Sequence, residues 1–304
     1  MSEPVTIKRG TEIELEIESL AYGGMGLARI ENFVIFVKYA IPGQKVLARI
    51  YKKRKGYAEA QVLETLVESP NAVDVCCKHY WICSKIQSLS YDEQIKEKSS
   101  QVEDAFVRLG GFLNFKLDKV QKANLIYHYR NKMEFTFSPN RWVLESEPEG
   151  VDKSFALGLH IPGRFDKILD IHNCYIQPEI GNKILAVARE VCLANPELRP
   201  YDPRSHIGFL RFLMLRFGVN TGDLMVNVVT SYHDIDKLSP LTDLLLEKFP
   251  EITSLVNNVN TRKADVAFGE YETLLYGKPF IQEKIGDLTF EISANSFFQT
   301  NTTQ

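Results

Sequence analysis

FVIFVKYAIPGQKVLARIYKKRKGYAEAQVL, residues 33–63, reads as three short strands separated by turns, Phe33 to Lys38, Lys45 to Ile50 and Tyr57 to Leu63. Pro42-Gly43 supplies the first turn, since proline fixes φ and glycine accepts a positive φ. Upstream, Ile13, Leu15 and Ile17 alternate with Glu12, Glu14, Glu16 and Glu18, the period-two signature of a strand with one buried face. Several short strands at this spacing predict a small closed barrel. Gly23, Gly24 and Gly26 of the intervening YGGMG loop open no helix, so a tight barrel turn suits them better than a phosphate loop. Lys52, Lys53, Arg54 and Lys55 are the densest basic run of the chain and lie between Tyr51 and Tyr57. Such a run either grips a single-stranded RNA backbone while the rings stack on bases, or is a solvated hairpin tip.

The 304 residues leave room for about two domains, and 44% hydrophobic with 25% charged residues reads as globular. A net charge of −3 gives no global attraction for nucleic acid, so binding must come from local basic patches. The sequence shows no bilayer-length apolar run and no signal-peptide pattern at its start, which leads to an expected cytoplasmic location. Cys76, Cys77, Cys83, Cys174 and Cys192 are odd in number and unevenly spaced, unlike a secreted disulfide framework. Three of them fall within residues 76–83, where soft thiolates suit zinc or an iron–sulfur cluster. Cys192 sits in an apolar helical pattern and reads as a core residue.

Farther on, Ser90-Tyr91-Asp92-Glu93 predicts a capping box opening a helix with Val102, Ala105, Phe106 and Leu109 on one face and Gly110-Gly111 at its end. A long strand is expected from Leu125 to Phe137, with His128, Arg130, Lys132, Glu134 and Thr136 on its polar side. Helices are expected over 178–195 and 238–249, and strands over 206–219, 224–230, 252–259, 280–285 and 288–292. Arg211 and Arg216 are both expected to project from their strand, on opposite faces. The chain ends on Asn295-Ser296-Phe297-Phe298-Gln299-Thr300-Asn301, a small apolar shelf with polar hooks, and three further residues.

Several of these stretches together resemble the RNA (uracil-5-)-methyltransferase family. Residues 5–68 look like a TRAM domain, an RNA-binding barrel. Residues 130–138, RNKMEFTFS, are similar to the family's RNKxEFTFS motif, and 295–301 to its SFFQ(T/V)N signature. Leu157 to Arg164 and Ile168 to Cys174 continue the likeness. The resemblance implies RNA contact by Arg130 and Lys132 beside Lys52, Lys53, Arg54 and Lys55, and a role for Gln299 in holding S-adenosylmethionine. It also implies a [4Fe–4S] cluster on Cys77, Cys83 and Cys174. Here Ser84-Lys85-Ile86 stand where the family has Gly-Gly-Cys, leaving Cys76 as the substitute ligand.

The expected fold class is α+β: an OB-like TRAM barrel over 1–68, then a mainly antiparallel α+β central domain over 69–293. Residues 294–304 are read as the lead-in to an absent Rossmann-like S-adenosylmethionine domain. Catalytic residues are expected outside this chain, which is read as truncated and inactive alone. The parent activity implied is methylation of 23S ribosomal RNA at uracil C5. Alternatives are a tRNA uracil-5-methyltransferase, or a stand-alone RNA-binding module that has lost its catalytic half.

Overall fold

The computed structural model describes residues 7–264 and 266–304, so the first six residues of the expected barrel lie outside the described ones. The chain divides into two compact units, one ending at Lys122 and one running from Ala123 to Gln304.

In the first unit, six strands form one sheet: β1 (Glu12–Glu16), β2 (Ser19–Ala21), β3 (Met25–Ile30), β4 (Phe33–Lys38), β5 (Lys45–Lys53) and β6 (Tyr57–Val67). The spatial order is β1-β5-β6-β4-β3-β2, and the β4–β6 pair is parallel. Alternation decides the buried face: Val46, Ala48 and Ile50 of β5 meet Ala58 and Ala60 of β6, Ile35 and Val37 of β4, and Leu15 of β1 in one core. Three register irregularities along β5–β6 bend the sheet. Gly26 lets β3 approach closely, since a Cβ there would sit 2.9 Å from the Ile17 side chain and 3.0 Å from Ala40.

After the sheet come a short helix α1 (Tyr80–Cys83) and the longer α2 (Tyr91–Asp104), which continues as a π-helical turn over Ala105–Leu109. The expected capping box does not form. Ser90 is the N-cap, but its side chain makes no capping bond, and Glu93 pairs with Lys96 instead. The expected apolar face is not buried either: Val102, Phe106 and Leu109 are exposed, Leu109 by 88%. Polar contacts hold α2 to β2, where the Leu20 N–H donates to Glu97 Oε2 at 2.8 Å and Gln101 Nε2 donates to the Leu20 carbonyl at 3.2 Å.

The second unit is built on an eight-stranded sheet and a separate hairpin. Its elements are β7 (Lys132–Ser138), β8 (Arg141–Trp142), β9 (Ala156–His160), β10 (Ile168–Asp170), α3 (Glu179–Ala194), β11 (Leu210–Phe217), β12 (Leu224–Thr230), α4 (Ile235–Lys248), β13 (Ser254–Val259), β14 (Tyr271–Gly277), β15 (Phe280–Ile285) and β16 (Leu288–Ser293). The sheet order is β14-β13-β12-β11-β7-β9-β10-β8, and β15–β16 form the hairpin. Every residue of β11, β12 and β13 is buried, as in a sheet covered on both faces.

Two expectations change here. The long strand predicted from Leu125 is a ladder only from Lys132, because His128 takes a φ of 55° and Leu125 and Ile126 face solvent. The central sheet is mainly antiparallel but, beyond the expectation, carries two parallel pairs, β8–β10 and β12–β13. β12 and β13 pair in parallel across α4, whose Leu238, Leu241 and Leu245 are buried, so the sheet is mixed and contains a β-α-β crossover. A parallel pair cannot be closed by a hairpin and requires such a crossover. Among the described residues no helix is long and apolar enough to cross a membrane.

Candidate functional site

The first unit places the basic run at the end of β5 and in the turn to β6. Lys53, Arg54 and Lys55 are exposed there. Lys52 is not equivalent to them, because its ammonium pairs with Glu59 of β6. Glu59 also accepts the Tyr51 hydroxyl at 2.8 Å, and Lys38 lies 4.6 Å over the Tyr51 ring. The Lys52 hydrogen bond holds the Glu59 carboxyl below the usual carboxylate range, outweighing partial burial. Burial first, and then Glu59, push the Tyr51 phenol up, so it stays a donor at any physiological pH. Tyr57 packs edge-on against Phe36, with centroids 5.7 Å apart. The edge therefore carries three exposed cations beside two braced rings.

The cysteine segment gathers around Gln87, which is buried. Its Oε1 accepts the Cys77 N–H at 3.3 Å and lies 3.6 Å from Cys76 Sγ. Cys77 is buried, whereas Cys76 and Cys83 are exposed. In the second unit Cys174 is buried, with its N–H donating to Asn182 Oδ1 at 2.8 Å. Among the described residues no three His, Cys, Asp or Glu side chains come together as a metal site. Cys192 lies within α3 in the core, where burial raises its thiol to about 12.

In the second unit β7 and β11 grip the last ten residues. Asn131, buried ahead of β7, donates from Nδ2 to the Gln299 carbonyl at 2.8 Å and to Thr302 Oγ1 at 2.7 Å. Its own N–H donates to the Thr300 carbonyl at 2.9 Å, and Arg130 bridges to Asn301. Arg216 of β11 donates to the Ala294 carbonyl at 3.0 Å and to that of Ser296. Thr302 in turn donates to Glu283 Oε2 at 3.0 Å. Phe298 packs on Phe290 with centroids 5.7 Å apart, while Phe297 is 85% exposed. Gln299 is exposed, and among the described residues its side-chain amide carries no hydrogen bond.

Arg130, Lys132 and Arg216 form a cationic group along this segment. Burial is the main cause that depresses the Lys132 ammonium below the ordinary lysine value. Glu134 works against it, and Arg216 and Arg130 reinforce it. Burial likewise lowers the Arg216 guanidinium to about 10. Lys132 and Arg216 share the Glu134 carboxylate, and an anion approaching here would relieve the repulsion that Arg216 and Arg130 exert on Lys132. Arg211, expected to project from its strand, is instead buried and donates to the carbonyls of Asn260 at 2.7 Å, Arg262 at 2.6 Å and Ala264 at 2.6 Å. Arg216 was expected to project too, and it is the clamp just described. Asn131 is the residue that sequence reasoning passed over, although it lies inside the RNKMEFTFS stretch.

Comparison with known proteins bears on both units. The TRAM domain family matches residues 7–63. The matched stretch falls on the six-stranded sheet described above, and the basic edge is its β5–β6 turn. The chain as a whole is similar to proteins named uncharacterized RNA methyltransferases. One from Porphyromonas gingivalis is 38% identical over 300 residues, covering 95% of this chain and 64% of the relative. Another from Chlorobaculum tepidum is 42% identical over 270 residues, covering 86% of this chain and 56% of the relative. The chain therefore spans a little under two thirds of the length of such relatives.

Among solved structures, the Pyrococcus abyssi tRNA (uracil-54, C5)-methyltransferase in complex with S-adenosyl-L-homocysteine matches with a TM-score of 0.68 at 23% identity. That match covers 95% of this chain and 62% of the other. The expectation of an absent S-adenosylmethionine domain does not stand: nearly the whole chain matches the fold of an enzyme solved with that cofactor's product.

Proposed function

We propose that the protein acts in S-adenosylmethionine-dependent methylation of RNA at uracil C5, with ribosomal RNA as its substrate. The observation that carries this reading is the homology, over 95% of the chain, with a protein named as an RNA methyltransferase. A TRAM domain at residues 7–63 accompanies it. In this reading the basic edge of the TRAM barrel and the group of Arg130 and Lys132 hold the phosphate backbone. Domain limits of 1–68, 69–293 and 294–304 belong to the same proposal.

The reaction joins a methyl group to a carbon that is not nucleophilic by itself. A nucleophile adds to C6 of the uracil, the electron pair reaches C5, and C5 takes the methyl from the sulfonium, leaving S-adenosylhomocysteine. A base then removes the C5 proton, and the nucleophile is expelled from C6. The contribution assigned to this chain is positional. The clamp by Asn131 and Arg216 fixes the backbone of 294–302, so that Phe297 and the Gln299 amide are presented outward. The Gln299 amide is the proposed cofactor contact. The ribosomal branch is preferred because a leading TRAM barrel together with a cysteine-rich segment resembles that branch. No chemistry is routed through an iron–sulfur cluster.

The test is deletion of the gene encoding this chain, followed by nucleoside mass spectrometry of ribosomal and transfer RNA. Loss of one 5-methyluridine from ribosomal RNA is expected, with recovery on complementation and poor recovery with Gln299→Ala. Loss from transfer RNA instead would move the substrate assignment, and an unchanged inventory of methylated uridines in both RNAs would overturn the reading.

A further inference from the structure

A second surface of the Ala123–Gln304 unit lies outside the regions considered so far. Glu197, Arg199, Tyr201, His206, Tyr232 and Lys263 are among the side chains that line an open groove of about 620 Å3. That volume falls in the range of about 300–1,000 Å3 usual for small-ligand sites. We infer that this groove is a binding site for one nucleotide of a single-stranded RNA segment, the phosphate meeting Arg199 and Lys263 and the base meeting Tyr232 and His206. The inference rests on the RNA reading above and adds a contact that reading does not include.

The groove is built rather than incidental. One wall is a turn from Asp202 to Ile207, closed by the His206 N–H donating to the Asp202 carbonyl at 2.8 Å. Asp202 also accepts the Arg204 N–H at 3.1 Å and the Ser205 hydroxyl at 2.9 Å. This holds His206 at a φ of 61°, a conformation that non-glycine residues seldom adopt. The Tyr201 hydroxyl lies 2.9 Å from His206 Nδ1 and fixes the ring orientation. Gly208 makes the fold-back possible, because a Cβ there would sit 2.1 Å from the Pro200 carbonyl oxygen. Strain locked by surrounding structure, with an exposed imidazole as its product, is typical of a surface shaped for a ligand.

The floor is aromatic. Phe209 and Tyr232 pack with centroids 4.9 Å apart, and Tyr232 keeps 43% of its surface exposed. Lys237 lies 5.4 Å over the Phe209 ring and donates to the Tyr232 hydroxyl at 3.1 Å, holding the ring in place. Its charge is met by Glu197 at 3.1 Å, so Lys237 is a brace and not a phosphate ligand. The far wall is the loop at 260–264, whose carbonyls are gathered by Arg211 from behind. Arg262 on that loop pairs with Glu270, whereas among the described residues neither Arg199 nor Lys263 has an ion pair. Two uncommitted cations flanking a braced, half-exposed ring match the way single strands are held. Backbone charge gives affinity, and a stacked base adds about 1–3 kcal/mol.

The experiment compares wild type, the double variant Arg199→Ala/Lys263→Ala, Tyr232→Ala, and Lys248→Ala as a charge-loss control on α4. Binding of a fluorescein-labelled RNA hairpin with single-stranded flanks is followed by anisotropy across a KCl series. The double variant should bind roughly tenfold more weakly, and its slope of log K against log salt should fall by about 1.4, about 0.7 for each cation. Tyr232→Ala should weaken binding with the slope unchanged, ultraviolet crosslinking should yield an RNA adduct at Tyr232 or His206, and Lys248→Ala should match wild type. Wild-type binding with an unaltered slope in the double variant and no crosslink in the groove would overturn this inference and leave the RNA reading intact. No RNA binding by wild type would sink both.

Discussion

Replacing Asn131 by alanine tests whether the terminal segment is held by its main chain. The substitution removes two hydrogen bonds, to the Gln299 carbonyl at 2.8 Å and to Thr302 Oγ1 at 2.7 Å, from a site that is only 5% exposed. Each bond contributes about 1 kcal/mol net. Thr302 keeps its bond to Glu283, which limits the loss on that side. The balance is about 2 kcal/mol, or roughly a 30-fold rise in local opening of 295–304. Hydrogen exchange read by mass spectrometry should show that peptide, and the one holding Asn131, exchanging correspondingly faster. The TRAM barrel should be unaffected. A double-mutant cycle with Thr302→Val should return a coupling of about 1 kcal/mol between the two side chains. Unchanged exchange in Asn131→Ala would refute the clamp, and uniform loosening of both units would show that the residue serves general stability instead.

Two further outcomes follow from the geometry. Changing Lys52, Lys53, Arg54 and Lys55 together to alanine should weaken RNA binding and lower the salt slope by about 2, while Lys52→Ala alone should hardly move it, since Glu59 already neutralises that ammonium; salt titrations that leave the quadruple variant unchanged would mark the run as a solvated tip. Asp202 is held below the usual carboxylate range: burial would raise it, but the Arg204 N–H and the Ser205 hydroxyl and N–H prevail. A depressed carboxylate contributes stability that is complete above its unfolded value of about 3.9 and is lost as pH falls through the lower folded value. Urea unfolding should therefore show Asp202→Asn costing about 1 kcal/mol at neutral pH and nothing once the wild-type carboxylate is protonated; an equal deficit at both pH values would mean the charge is irrelevant.

Strand alternation made the six-stranded sheet of the first unit legible, because Val46, Ala48 and Ile50 must all face one way once β5 is a strand. Helices α3 and α4 and the β15–β16 hairpin were equally readable, each carrying its own local period and turn. Arg211 and Arg216 were misleading, since a cation in a strand normally faces water. Here each guanidinium satisfies carbonyls 49 to 80 residues away in sequence, and such partners leave no mark on the local pattern. The same holds for Asn131, whose acceptors lie 168 and 171 residues downstream. At 125–131 the alternation was real but His128 breaks the ladder, and the run at 90–93 had the spelling of a capping box without its bonds. The parallel β12–β13 pairing joins two segments separated by α4, and neither segment encodes it alone.

Arg211 fastens the loop at 260–264 through the carbonyl oxygens of Asn260, Arg262 and Ala264. Such a fastening is indifferent to which residues occupy the loop, since every amino acid brings the same oxygen. An outward side chain that makes no such bond among the described residues, Lys263 for one, is thereby decoupled from the cost of keeping the loop in place, like a tip on a fixed handle. A change of nucleotide preference at this wall would then need new letters at the surface and no new architecture beneath it.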